Sequence, residues 1–310
     1  MRVSTANSFD NTVSSLARRQ ADLSAQQERL STGKRVLRAS DDPVAATLAE
    51  AAQNRLSRVQ GDLRSLEASR ASLALAESGL AESGELIQKA RDLMISAGNA
   101  TFGPSEREDV ARQLSGLREQ MIAVANRQDN AGRTLYGGLG GSSRPFMDVY
   151  SPLPAGVQFY GQRGQQAAGD TSLPQTLDGD AIWMRIPAVG GGTTNIFQVL
   201  QNTVDALRDT TPTAATNLSL VLDRSITELD AGQDRVLLAR GYSGEMLNRA
   251  DSLESLLDTR TVAHEREKSR LEDLDMIKGI SEFQNQQVGL EAALKSYAQV
   301  QRLSLFEFVR

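Results

Sequence analysis

The sequence predicts a mainly α fold: an elongated antiparallel helical bundle with coiled-coil helices at its two ends and a small β-rich domain inserted near the middle. Three observations carry that expectation. Apolar residues recur every seven positions near both termini and along the segments just inside them. Aromatic residues make up only 5% of the chain, which suits long helices packed through Leu, Ala and Val better than a thick core. Between Gly137 and Gly192 lie 12 of the 25 glycines and five of the eight prolines, and helical periodicity stops there.

The first element is a heptad run, Phe9, Leu16, Leu23, Leu30 and Leu37, with Val13, Gln20, Gln27 and Lys34 expected at the alternate seam positions. Half of that seam is polar. The run passes into "LSTGKRVLRASDDPVAA", Leu30 to Ala46. A phosphate loop would need a Ser or Thr after Gly-Lys and an earlier glycine, but Arg35 follows Lys34 and Glu28 stands where that glycine belongs. Asp41 and Asp42 have the chemistry to hold a divalent cation, yet a helix start explains them more simply. Pro43 suits the first helical position because its missing N–H needs no partner, Asp42 is a favoured cap, and Asp41 adds negative charge at the helix's positive end. Gly33, Asp41, Asp42 and Pro43 are therefore read as a joint between helices.

A second helix is expected from Pro43 to about Gly98, roughly 80 Å long at 1.5 Å per residue. Its seam is Val59, Leu66, Leu73, Leu80, Ile87 and Met94. Ser105 and Glu108 have capping-box spacing, and Val110, Leu114, Leu117, Met121 and Val124 then line one face, which completes a helical hairpin. In the Gly/Pro-rich segment, runs such as "GVQFYG" and "AIWMRIP" are read as small strands. Helical spacing returns from Asn195 through Phe197, Leu200, Val204 and Leu207, and "TTPTAAT" is a short linker. One helical region is expected from Asn217 to about Arg302, with Leu222, Leu229 and Val236 near its start and Met276, Phe283, Leu290 and Tyr297 near its end. Ile280 and Leu294 are assigned to the alternate seam there, with Gln287 and Gln301. The resulting division is 1–42 paired with 268–310, a helix hairpin 43–136, an insert 137–194 and returning helices 195–267.

Composition narrows the function. The net charge is −5 with both signs scattered, which gives no footprint for nucleic acid. No apolar run exceeds five residues, against the roughly 18 to 20 that a membrane-spanning helix needs. The first residues have no apolar core, so a cleaved secretory signal is not expected. There is no cysteine, and the one histidine, His264, sits at heptad spacing between Leu257 and Leu271. A zinc site or a His-activated nucleophile has almost nothing to be built from. No catalytic, cofactor or metal residues are expected.

With the joint, the terminal heptads and the matching ends in view, the sequence resembles the flagellin-like axial proteins of bacterial flagella. The resemblance rests on "LSTGKRVLRASDDPVAA", on "NAGRTLYGG" before the insert, and on "LEAALKSYAQVQRLSLFEFVR" at the end. It implies a structural, non-enzymatic protein exported without a cleaved signal through the flagellar type III apparatus and found outside the cell in the flagellum. It also implies partners: hook-associated protein 1 on the hook side, flagellin on the filament side, other copies of itself in a helical array, and an export chaperone. Flagellins usually continue the Asp-Asp element with Ala-Ala-Gly, whereas here Pro43-Val44-Ala45-Ala46 follows. They also end in a Leu-Leu-Arg or Leu-Leu-Gly type sequence, where this chain has Ser304-Leu305-Phe306-Glu307-Phe308. Both departures favour an adaptor between hook and filament over the filament subunit. A filament subunit and a coiled-coil protein unrelated to flagella stay open as alternatives.

The expected assembly interface is Phe9, Leu16, Leu23, Leu30 and Leu37 against Met276, Phe283, Leu290 and Tyr297, with Leu305 and Phe306, within one subunit or between neighbours. A stripe interrupted by Gln and Lys holds a lone helix poorly. Met1 to about Arg38 and about Met276 to Arg310 are therefore expected to be mobile in the free monomer and to become ordered on assembly.

Overall fold

The computed structural model describes residues 2–99, 102–140, 142–149, 156–211 and 214–308. Its elements, in chain order, are α1 (Arg2–Thr32), α2 (Pro43–Ala97), α3 (Pro104–Ala125), β1 (Phe146–Val149), β2 (Gly156–Phe159), a π-helical turn (Asp180–Met184), β3 (Ile186–Pro187), β4 (Thr193–Thr194), α4 (Ile196–Arg208), α5 (Ala214–Glu272) and α6 (Met276–Phe308). They divide into a terminal unit, Met1–Gln60 with Asp258–Arg310, and a central unit, Gly61–Leu257. Among the described residues no helix is long and apolar enough to cross a membrane.

In the central unit the heptads of the sequence become a buried seam. Leu66, Leu73, Leu80, Ile87 and Met94 of α2 are buried, as are Leu222, Leu229 and Val236 of α5. Ion pairs run in descending register along the two helices, Arg70–Glu254 (2.9 Å), Arg240–Glu77 (2.7 Å) and Arg91–Asp230 (2.9 Å), so α2 and α5 are antiparallel. These pairs are partly exposed and fix register more than they add stability. α3 packs on α4, burying Val110, Leu114, Met121 and Val124 of the first and Phe197, Leu200, Val204 and Leu207 of the second.

The glycine-rich segment folds as part of this central unit. β1 and β2 pair antiparallel with Phe146 opposite Phe159, and β3 pairs antiparallel with β4. Three rings meet around Phe146, Trp183 edge-on at 5.4 Å, Phe159 at 5.1 Å and Phe197 at 5.8 Å, and Tyr136 lies edge-on to Trp183 at 4.7 Å. The Tyr136 hydroxyl donates to the Ala76 carbonyl of α2 at 2.8 Å, so "NAGRTLYGG" anchors the insert to the long helix. Burial raises the Tyr136 pKa, which keeps the phenol protonated as a donor. Arg118 of α3 donates to Asp148 of β1 at 2.6 Å and to the Phe197 carbonyl at 3.3 Å, tying three elements together.

Several sequence expectations need correction. "AIWMRIP" is not a strand throughout: Asp180–Met184 is a π-helical turn that buries Trp183, and only Ile186–Pro187 is extended. A short apolar run fits either form, and ring burial decides between them. α3 starts at Pro104 with Gly103 as its N-cap and no side-chain cap, so Ser105 lies inside the first turn and no capping box forms. Proline at the first helical position sets that start. α5 begins at Ala214, within the expected linker. The boundary expected at 267/268 falls inside α5, which runs to Glu272 before the break at Asp273–Asp275.

In the terminal unit, the first part of α2 and the last part of α5 are joined by Arg55–Glu267 (3.1 Å) and by Lys268 donating to Gln53 (2.6 Å). Ala45, Ala49, Ala52, Leu56 and Val59 are buried there. α1 packs against α6.

Candidate assembly site at the joined ends

The site is built on two chain breaks. At the first, Gly33 ends α1 with φ +69°, a left-handed conformation that costs glycine nothing and suits the residue after a helix. Asp42 caps α2, its Oδ1 accepting from the Ala45 N–H at 2.9 Å and its Oδ2 from Arg35 at 3.1 Å. Asp41 does more than supply charge: its Oδ2 accepts from the Leu37 and Arg38 N–H groups at 3.1 and 3.0 Å and holds the turn between the helices. The backbone donors of Arg38 and Leu37 lower the Asp41 pKa, and the Ala45 donor followed by Arg35 lowers that of Asp42. Both carboxylates are thus used as acceptors within the joint. Among the described residues no group of three His, Asp or Glu is arranged to hold a metal ion.

The second break is Asp273–Asp275, where Asp275 caps α6 by accepting from the Ile277 and Lys278 N–H groups, both at 3.1 Å. The two breaks lie side by side. Lys34 and Asp273 form an antiparallel bridge, Leu274 N–H donates to Gly33 O at 2.9 Å, and Arg35 N–H donates to Glu272 O at 2.6 Å. Lys34 pairs with Glu272 at 2.8 Å, and that hydrogen bond raises the lysine pKa. Arg35 also donates to the Leu271 carbonyl at 2.8 Å, satisfying an acceptor left free at the end of α5.

Beyond the breaks α1 and α6 face each other. Leu16, Leu23 and Leu30, and Phe283, Leu290 and Tyr297, are all half-buried, as is Leu37 in the joint. Met276 is exposed. Phe9, Leu305 and Phe306 lie within the helices, but their side chains fall outside the described residues. The alternate seam differs from that expected. On α1 the buried polar residue is Gln26, while Gln20 and Gln27 are exposed. On α6 the inward positions are Gly279, Gln286 and Ala293, and Ile280 and Leu294 face outwards at 46% and 49% exposure. A Cβ at Gly279 would come within 2.9 Å of Leu274 and 3.2 Å of Leu30, so the small residue sets how closely the helices approach. A heptad can alternate three-then-four or four-then-three, and here Gly279, Gln286 and Ala293 take the second inward position of each heptad.

That register turns Ile280 and Leu294, expected in the seam, towards the outside together with Ile277 and Val288. Ile277 (83% exposed), Ile280, Val288 (66%) and Leu294 lie on α6 beside its α1-facing seam. At 100° per residue they fall within an arc of about 120°. They share that arc with the exposed Gln284, Gln287, Glu291 and Lys295, so the outer face of α6 is mixed, with four exposed aliphatic side chains among polar ones. His264, at its seam position in α5, is half-buried with Nδ1 3.6 Å from Glu267.

The model of the bacterial flagellin N-terminal helical region matches residues 3–139. The flagellar hook-associated protein 3 of Escherichia coli (strain K12) is 30% identical to this chain over 323 residues, covering 99% of each. The protein of the same name from Salmonella typhimurium is 28% identical over 327 residues and covers 100% of each. Among solved structures, the flagellar hook associated protein-3 of Legionella pneumophila shares the fold with a TM-score of 0.64 at 15% identity, covering 72% of this chain and 98% of that one.

Proposed function

The chain belongs to the flagellar hook-associated protein 3 family, and from that premise we propose that it is a structural subunit of the flagellar axis that joins hook-side subunits to the flagellin filament. The observation that carries this reading is the exposure of Ile277, Ile280, Val288 and Leu294 on the outer side of α6, in a helix pair whose own seam is only half-buried. Such a pair gains stability when a neighbour covers it. Its partners are hook-associated protein 1 on the hook side, flagellin on the filament side and further copies of itself, and an export chaperone would hold its ends before assembly. Contacts between unlike surfaces of equivalent subunits build a helical array rather than a closed dimer. Export through the type III apparatus without a cleaved signal is supported by the absence of cysteine, since no disulfide can lock a threaded chain.

The match to the flagellin N-terminal helical region supports a second reading, a filament subunit. Gene deletion separates the two. Loss of a junction subunit leaves flagellin secreted but unattached, and this chain supplied in trans restores attachment. Hooks that release no flagellin after deletion would show a filament subunit instead.

A further inference from the structure

We infer that the outer face of α5 in the central unit seats the β1–β2 hairpin of a neighbouring copy of the chain; the inference rests on the array of copies proposed above and names two surfaces that hold it together. On α5, Leu237, Leu238, Gly241 and Tyr242 line a shallow hollow with Asp234 at one end and Glu245 at the other. At 100° per residue Asp234, Leu238, Gly241 and Glu245 fall within an arc of about 60°, with Leu237 and Tyr242 on its flanks. The surroundings are mixed, since the exposed Arg235 lies beyond Tyr242. The middle is apolar and open: Leu238 is 68% exposed, and a Cβ at Gly241 would meet no atom within 4 Å. Glycine inside an exposed helix costs stability relative to alanine, and no described neighbour of Gly241 requires it. A hollow at that point admits a bulky side chain from outside.

The hairpin supplies that side chain. β1 packs on α3 and β2 on α4, with Phe146 and Val157 buried, so strand alternation turns Met147 and Tyr160 outwards at 39% and 47% exposure. Arg144 stands at the same end of the hairpin as Tyr160, whose N–H donates to the Pro145 carbonyl at 2.7 Å. Arg144, Asp234 and Glu245 are exposed and have no ion-pair partner among the described residues. Tyr160 and Leu238 are both exposed in one copy, so neither covers the other within it. Between two copies the Tyr160 ring fills the hollow over Gly241, and Arg144 meets the acidic rim. Tyrosine and arginine are the residue types that most often anchor an interface. A two-fold contact of α5 on α5 would instead set acid against acid, which disfavours it. Unlike surfaces leave every added copy with one free hairpin and one free hollow, so the contact propagates.

The test puts the photo-cross-linker p-benzoylphenylalanine in place of Leu238 in the full-length chain, supplies it to cells lacking the wild-type gene, and irradiates the attached flagella. The expected product has twice the mass of the chain, with the cross-link in 142–149 or 156–162 of the second copy. A cross-link to α5 of a second copy, a cross-link to a different protein, or none at all overturns the inference. Gly241→Leu separates the surface from the fold. Filling the hollow should raise the melting temperature of the free chain by about 2 °C, because leucine favours a helix more than glycine does. The fraction of cells with attached filaments should meanwhile fall about tenfold, as when an anchor residue is lost; unchanged attachment overturns the inference. Arg144→Glu should give the same loss, and Asp234→Lys with Glu245→Lys should reverse it; failure of that reversal counts against the pairing of the two surfaces. Flagellin lost unattached from the deletion strain, with no cross-link between copies, would keep the junction reading and remove this contact. Cross-linked copies along the whole filament would keep the contact and remove the junction reading.

Discussion

Phe146 shows what single residues contribute. Its ring touches Trp183, Phe159 and Phe197, joining a strand, a π-helical turn and α4 around one side chain that is 1% exposed. Phe146→Ala should destabilise the central unit by about 3–5 kcal/mol, the usual cost of truncating a buried ring. Denaturant unfolding followed by Trp183 fluorescence reads this; a loss below about 1 kcal/mol would mean the ring cluster is not central to the core. Single residues were legible in the sequence where one physical rule acted alone. Asp42 before Pro43 caps the helix because both residue types favour that position. Gln26 was not legible, because which of several glutamines faces inward depends on the approach distance set by Gly279, on a helix 253 positions away.

At the scale of elements, the heptads located the long helices and their buried seams, but the boundary expected at 267/268 lies a few residues before the break between α5 and α6. Glu272-Asp273-Leu274-Asp275-Met276 contains neither glycine nor proline, and its only local sign of a new helix is Asp275, placed to cap α6. The neighbouring α1–α2 joint is glycine- and proline-marked and was readable. Acid should loosen that joint. The folded pKa values of Asp41 and Asp42 are depressed below the ordinary 3.8, so their contribution is present above 3.8 and lost as pH falls through the folded values. Lys34 has the opposite sign: its pKa is raised above 10.5, so its pairing with Glu272 is complete below 10.5 and lost as pH rises through the folded value. Carboxyl carbon NMR titration should give midpoints below 3.8 for both aspartates. Midpoints at or above 3.8 would show that neither carboxylate is held by the backbone donors.

For the molecule as a whole, the matching heptads near the two termini announced paired ends, and α1 packs against α6. They left open whether the heptad leucines and Phe283 pair within one subunit or between neighbours; in the structure they line the chain's own α1–α6 pair half-buried, while Ile277, Ile280, Val288 and Leu294 are exposed. Periodicity finds apolar faces, but it does not assign them to partners. The central claim is that the outer face of α6, and not only its inner seam, seats the chain among its neighbours in the flagellum. Its most direct test is I280D combined with V288D, two outward positions whose exchange for aspartate leaves the α1 seam intact. Supplied to cells lacking the wild-type gene, this variant should be exported at the normal level while flagellin accumulates unattached in the medium. Full-length attached filaments on those cells would contradict the account.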